Sequence, residues 1–198
     1  MQAALKKNGQ FTYADYLMWD DNERWEIING QVYNMSPAPA TKHQLVLVEL
    51  QRQIANFLRE KEKSCLVFPT PFDVRLPESV KDNDKIIDVV QPDISVVCNL
   101  SRIDEKGCHG APDFIIEILS PSTAQKDYDV KRLLYEKNGV KEYWLADPTH
   151  HVVTTYLLED SGTYGNPSIH VVKGGLKVKS LEGLIIDLDL AFREYKFK

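Results

Sequence analysis

The sequence predicts a mixed α/β fold: a central sheet flanked by helices, with an N-terminal hairpin and additional C-terminal strands. Three observations predict it. Asn29-Gly30 separates two short strand-like runs, and that dipeptide favours a two-residue hairpin because both residues tolerate positive φ. Leu47, Leu50, Ile54, Phe57 and Leu58 recur at helical spacing. Finally, several strand-like segments precede a helical stretch that stops at Gly139 and leads into another strand.

Taken in order, Phe11 to Trp19 reads as a short helix with Thr12 as N-cap and Asp15 in its first turn. Trp25 to Ile28 and Gln31 to Met35 form the hairpin, which Pro37 and Pro39 end. The long helix runs from Thr41, as cap, to about Lys61. Strands are expected at Cys65 to Phe68, Phe72 to Leu76, Asp93 to Cys98 and Asp113 to Leu119. Thr123 to Asn138 is the second helix, with a capping box over Ser122 to Gln125 and Gly139 at C′. Val140 to Ala146, Val152 to Leu158, Ile169 to Val172 and Leu184 to Leu188 complete the strands. No repeat or long Pro/Gly-rich linker interrupts the chain, so residues 1–198 are read as one domain.

The bulk numbers exclude some classes. A hydrophobic fraction of 43% with 27% charged residues suits a soluble globular protein, and no apolar run approaches the ~18 residues of a membrane span. The N-terminus lacks the apolar stretch of a secretion signal and reads as a short lead-in. Cys65, Cys98 and Cys108 form neither a CxxC pair nor a zinc spacing, so reduced thiols in the cytoplasm are expected. The net charge of −5 argues against a phosphate-backbone binder, although an acidic metal site adds negative charge itself and a local basic face is compatible with it.

Glu117 is the most informative residue. It lies inside Phe114-Ile115-Ile116-Glu117-Ile118-Leu119, a run apolar on both faces and therefore central in a sheet. A carboxylate there costs several kcal/mol unless it is paired with a cation or binds a metal, and both remain open at this point. Pro92-Asp93 and Pro112-Asp113 each open a strand. Asp113 and Glu117 share a strand but stand ~13 Å apart at about 3.3 Å per residue. Asp93 is different. If its strand pairs antiparallel with that of Glu117, the start of one meets the end of the other, about 4.8 Å away. Two adjacent carboxylates suit Mg²⁺, which takes oxygen ligands and keeps several waters. Asp113 is left at the far end as a turn residue.

A cation should stand nearby, but the residue two after Glu117 is Leu119. Lys131 lies about eight residues into the following helix, ~12 Å along its axis, and leans toward the N-terminus. That places it level with Glu117. Asp127, Lys131 and Tyr135 form one i, i+4 stripe, so a solvated Asp127–Lys131 pair is the alternative. Lys126, nearer the helix start, is expected to contact phosphate or solvent.

An ordered set of motifs resembles a known family. Its parts are Trp25-Glu26-Ile27-Ile28-Asn29-Gly30, His43, Gln91-Pro92-Asp93, Ala111-Pro112-Asp113, Glu117-Ile118-Leu119-Ser120-Pro121-Ser122, Lys131, Gly139-Val140, Glu142-Tyr143-Trp144 and Asp147-Pro148. From about Tyr13 to Pro148 the chain resembles the Uma2 family, also called the DUF820 domain, whose members are assigned as endonucleases of the PD-(D/E)XK superfamily. The resemblance implies a restriction-endonuclease-like fold and Mg²⁺-dependent phosphodiester cleavage, with Mn²⁺ able to substitute. It makes Asp93 and Glu117 the metal ligands and puts the superfamily lysine position on Leu119, where this sequence departs. Lys131 is then the candidate for a lysine moved to the helix, and Glu26 a third acidic candidate. His43 shares a helical stripe with Leu47 and Leu50, so core packing and a catalytic role are both open. DNA is the expected substrate, a homodimer the expected assembly. The rival is a catalytically degenerate module of the same fold that binds nucleic acid or protein.

Overall fold

The computed structural model describes residues 9–19, 23–35, 40–61 and 64–196. The turn at Pro37 and Pro39, the lead-in over residues 1–8 and the last two residues lie outside that set. Among the described residues no helix is long and apolar enough to cross a membrane.

The hairpin forms as its turn chemistry requires. Strands β1 (Trp25–Ile28) and β2 (Gln31–Asn34) pair antiparallel with Ile28 opposite Gln31. Asn29 and Gly30 take φ of 52° and 75°, a combination that non-glycine residues other than Asn and Asp rarely accept. In helix α1 (Tyr13–Tyr16), Thr12 and Asp15 close the capping box; the helix stops short of Trp19. Helix α2 (Thr41–Glu60) buries His43, Val46, Leu47, Leu50, Ile54 and Leu58 on one face. Its N-cap is Ala40 with no side-chain hydrogen bond, so Thr41 is the first helical residue and not the cap.

The strands then divide between two sheets, where the sequence led us to expect one. Strands β4 (Val74–Leu76), β5 (Asp88–Val90), β7 (Ile103–Asp104) and β8 (Gly107–His109) extend the hairpin in the order β2-β1-β5-β4-β8-β7. The second sheet runs β12-β11-β10-β9-β6-β3. It contains β3 (Leu66–Pro69), β6 (Ile94–Val97), β9 (Phe114–Ile118), β10 (Glu142–Asp147), β11 (Val152–Leu157) and β12 (Ser168–Val171). Between β5 and β6 the chain changes sheets at Gln91-Pro92-Asp93. Pro92 has no N–H to continue the first ladder, so the break falls where the two sheets meet. In the second sheet β9 runs antiparallel to β6 and parallel to β10, the mixed pattern that a helical crossover between β9 and β10 demands.

That crossover is not one regular helix. It comprises α3 (Ala124–Lys126), a π-helical segment (Asp127–Lys131) and α4 (Arg132–Asn138), ended by Gly139 at φ 82°. The expected capping box over Ser122 to Gln125 does not form. The N-cap is Thr123 without a side-chain cap bond, and its hydroxyl accepts from the Ser120 backbone N–H instead. Beyond β12, β13 (Gly175–Lys177) and β14 (Ile185–Asp187) make a separate ribbon followed by α5 (Leu188–Ala191). The expected last strand is therefore shorter, because Asp187 caps a helix turn through Leu190 N–H.

Alternation along β9 sorts its side chains between two cores. Phe114, Ile116 and Ile118 join Val46, Leu50 and Ile54 of α2. Ile115 and Leu119 join Leu134 and Tyr135 of α4 together with Val74, Leu76 and Val90 of the first sheet. Glu117 is on the second face. The cysteines depart from expectation: Cys65 and Cys98 form a disulfide and only Cys108 is a thiol. The register that sets Leu66 opposite Val97 makes them neighbours, so free thiols no longer support a cytoplasmic location.

The orientation of α2 is testable. Ile54 is fully buried and Val48 is 58% exposed on the same helix. Ile54→Ala should cost about 2–5 kcal/mol in urea denaturation, and Val48→Ala should change stability by no more than ~0.5 kcal/mol. Equal costs would mean that α2 presents a different face to the sheet.

Candidate active site

The site forms where the sheet-crossing segment meets the end of β9. Ile94 pairs with Ile116, so Asp93, one residue earlier, stands beside Glu117. The two carboxylates interlock through the backbone: Asp93 N–H donates to Glu117 Oε2 at 3.4 Å, and Ile118 N–H donates to Asp93 Oδ2 at 2.8 Å. His43 Nε2 lies 3.1 Å from the same Oδ2, so the histidine on the core stripe of α2 also reaches the site. Its Nδ1 is buried without a partner among the described residues.

Lys131 is not solvated. Its ammonium lies 2.8 Å from Glu117 Oε1, 2.8 Å from Glu26 Oε1 and 3.8 Å from Asp127 Oδ1. The last pair is the expected helix bridge, but both partners are buried. Residues four apart share one face of the helix, and here that face, π-helical across Asp127–Lys131, is turned into the interior. Tyr135, one turn further, donates its hydroxyl to Glu117 Oε1 at 2.8 Å. Lys126 also differs from expectation. It donates to Glu26 Oε2 at 2.7 Å and sits 5.6 Å from the centre of the Tyr33 ring.

Glu26 is fully buried and does not line the cleft. Its oxygens accept from Gln91 N–H, Lys126 and Lys131. It holds both lysines and has no oxygen facing the cleft. Asp113 is at the far end of β9, as its distance from Glu117 required. It is not a loose turn residue, since it accepts from Cys98 N–H and Lys141.

The electrostatics reflect the count of charges. Glu26, Glu117, Asp127 and Asp93 gather around Lys126 and Lys131. Burial works against Glu26 ionising, but the two lysines overcome it and hold its carboxyl below the usual range. Burial opposes the charge on Lys131 as well, and Glu117, Glu26 and Asp127 overcome it, so the ammonium persists well above its ordinary pKa. Lys131 is shared among Glu26, Glu117 and Asp127, so Glu117 is incompletely compensated and holds its proton more tightly than usual. Burial pushes its pKa up to about 8; Lys131 opposes that rise, and Asp127, Asp93 and Glu26 add to it. Asp127 is raised by burial as well.

A cleft of about 350 Å³ opens onto this cluster, lined among others by Arg24, Tyr33, His43, Asp93, Glu117, Ser120, Lys126 and Lys131. The donor set fits Mg²⁺. Asp93 and Glu117 offer hard oxygen atoms on one wall, and Asp93 Oδ1 has no hydrogen bond among the described residues. Among those residues no group of three or more His, Cys, Asp or Glu side chains forms a ready metal cage. Two carboxylates completed by water are what this ion ordinarily takes from a protein.

Two residues at the site escaped the sequence. Tyr135 was legible as part of the Asp127–Lys131 stripe, though not as a partner of Glu117. Arg24 had no local signal. It enters the cleft because Gln91, 67 residues away, binds its guanidinium.

Comparison with known proteins agrees with this architecture. A crystal structure described as "a putative nuclease belonging to DUF820" from Anabaena variabilis ATCC 29413 superposes with a TM-score of 0.71. It is 23% identical in sequence, and the match covers 92% of this chain and 97% of that one. An uncharacterised protein of Synechocystis sp. (strain ATCC 27184 / PCC 6803 / Kazusa) is 25% identical over 186 residues, 92% of each chain. The model of the Uma2 family, described as "Putative restriction endonuclease", matches residues 13–191. The match passes Pro148, where the motif resemblance stopped, and takes in the C-terminal strands. Extending over most of its length, it shows that the chain belongs to the Uma2 family.

Proposed function

We propose that this protein is a metal-dependent endonuclease that hydrolyses phosphodiester bonds of DNA, using Mg²⁺ with Mn²⁺ as a substitute. One observation carries the proposal. Asp93 and Glu117 interlock at one end of the β6–β9 pair and line a single cleft with Lys131, which is bonded to Glu117. A buried ion pair alone would account for Glu117 and Lys131, but not for a second carboxylate with an uncommitted oxygen in the same cleft.

Asp93 and Glu117 would hold the ion. When bound, Mg²⁺ polarises a phosphate and lowers the pKa of its water. The chain's own groups then have distinct tasks. Tyr135 and Lys131 fix the Glu117 carboxylate through Oε1, and His43 and Ile118 N–H fix Asp93 through Oδ2. Glu26 keeps Lys131 charged in a buried place. That ammonium can orient the attacking water or offset charge on the phosphoryl oxygens. Leu119, at the position where the superfamily carries lysine, packs in the core; Lys131 replaces it from the helix.

Calorimetric titration should show Mn²⁺ binding to the wild type and none to Asp93→Ala. Glu117→Gln should slow plasmid cleavage by roughly a thousandfold or more, because a lost ligand removes several kcal/mol at ~1.4 kcal/mol per decade. The same variant has a pH signature in metal-free buffer. Glu117 rises from 4.5 to about 8 on folding, so the folded chain retains a proton that the unfolded chain releases in that window. Its carboxyl therefore costs no stability below the unfolded value and increasingly more as pH rises to about 8. The Tm advantage of Glu117→Gln should grow from pH 5 to 8. A Tm deficit that grows with pH would make Glu117 a structural ion-pair residue.

Lys131→Met keeps the stem and removes the charge. It strands Glu26 and Glu117 without their shared cation, so urea denaturation should show a loss of about 3–5 kcal/mol. In the folded fraction, Mn²⁺ should still bind while cleavage falls strongly. Retained cleavage would leave Lys131 with a structural role only.

A further inference from the structure

The cleft contains one cation whose charge no described carboxylate neutralises. Lys126 is bonded to Glu26, and Lys131 to Glu26 and Glu117. Arg24 lines the same cleft, yet its described partners are neutral. Its Nε and Nη2 donate to Gln91 Oε1 at 3.0 and 2.8 Å, and Nη2 also contacts the Thr70 hydroxyl and the Met35 sulfur. The two N–H groups of Nη1 have no partner among the described residues.

The partner holding Arg24 is itself immobilised. Gln91 is buried; its Nε2 donates to Tyr16 Oη at 3.1 Å and to Asp73 Oδ1 at 2.9 Å, which fixes Oε1 toward Arg24. Its backbone N–H donates to Glu26, and it lies two residues before Asp93 in the chain. An amide orients a guanidinium without cancelling its charge, as a carboxylate would. The result is a planar, permanently charged fork, already ordered, on the wall of the cleft that Asp93 and Glu117 line, with the Nη1 donors unpartnered among the described residues. An ordered donor loses little entropy on meeting a ligand.

We propose that Arg24 is the phosphate-binding residue of this cleft, its Nη1 donors taking non-bridging oxygens of the nucleic-acid backbone. The proposal rests on the nuclease reading above and adds the group that engages the substrate's charge. It also supplies what an acidic chain needs to approach a polyanion: a local cation with no carboxylate partner among the described residues.

The test is binding of a short fluorescein-labelled DNA duplex, followed by anisotropy across a salt series in Ca²⁺, with Mn²⁺ calorimetry alongside. Arg24→Met should weaken duplex binding about ten- to a hundredfold, the worth of one charged hydrogen-bonding group. The slope of log affinity against log salt should become shallower by about 1. Mn²⁺ affinity should stay at the wild-type value. Arg24→Lys keeps the charge and should recover the slope while recovering only part of the affinity. Should Arg24→Met not fold, Arg24→Gln retains a donor for Gln91 and removes the charge, and carries the same expectations. Unchanged duplex affinity and slope would overturn this inference and leave the nuclease reading standing. Loss of Mn²⁺ binding together with duplex binding would overturn it too, by making Arg24 a support for Asp93. A wild type that neither binds nor cleaves the duplex would remove both.

Discussion

Lys131 is the charge around which this site is built. It reaches Glu26 on β1 of the first sheet and Glu117 on β9 of the second, at 2.8 Å from each. Neither carboxylate is tolerable in its place alone, because a buried unpaired charge costs several kcal/mol. Bringing the two sheets together therefore requires the crossover helix to deliver its ammonium between them. The turn that spans Asp127–Lys131 is π-helical and carries both of its end residues into the buried cluster. Everything else in the cluster is arranged about that contact. Glu26 takes the greater share of the positive charge, Glu117 is left with a high proton affinity, and Asp93 lies beside it.

Much of the site was legible in the sequence because two kinds of signal are local. Asn29-Gly30 specifies its turn without help from the rest of the chain, and Gly139 ends its helix in the same way. Glu117 was conspicuous because an apolar run has no use for a carboxylate, and the rise of about 3.3 Å per residue along a strand was enough to separate it from Asp113. Antiparallel pairing of β6 with β9 then placed Asp93 next to it, as geometry required. Lys131 could be reached from helix rise alone.

The features that the sequence concealed depend on contacts between distant segments. Nothing around Trp25-Glu26 reveals that Glu26 faces two lysines of the crossover helix or that Arg24 is held by Gln91. The division into two sheets was hidden for a related reason. Asp88-Val89-Val90 was not read as a strand from the sequence, and its pairing with Ile27 through Val89 is what assigns it to the hairpin's sheet. Cys65 and Cys98 are 33 residues apart and meet through the β3–β6 register. The helix was legible, its π segment was not, because widening a turn by one residue leaves no composition signature.

The distance along the chain between Glu26 and its lysines also governs how the molecule assembles. Lys126 is 100 residues from Glu26, and contacts of such range form late, since the intervening loop must close before they contribute. During synthesis from the N-terminus, the hairpin strand carrying Glu26 emerges long before either cation that can make it tolerable in an apolar interior. Until residues 126–131 have been synthesised, Glu26 and Glu117 have neither of the ammonium groups that they bind in the folded chain. Lys126, Asp127 and Lys131 also line the cleft, so a chain without the crossover helix lacks that wall of it. A product truncated before Lys126 would carry Glu26 and Glu117 without the lysines that pair them.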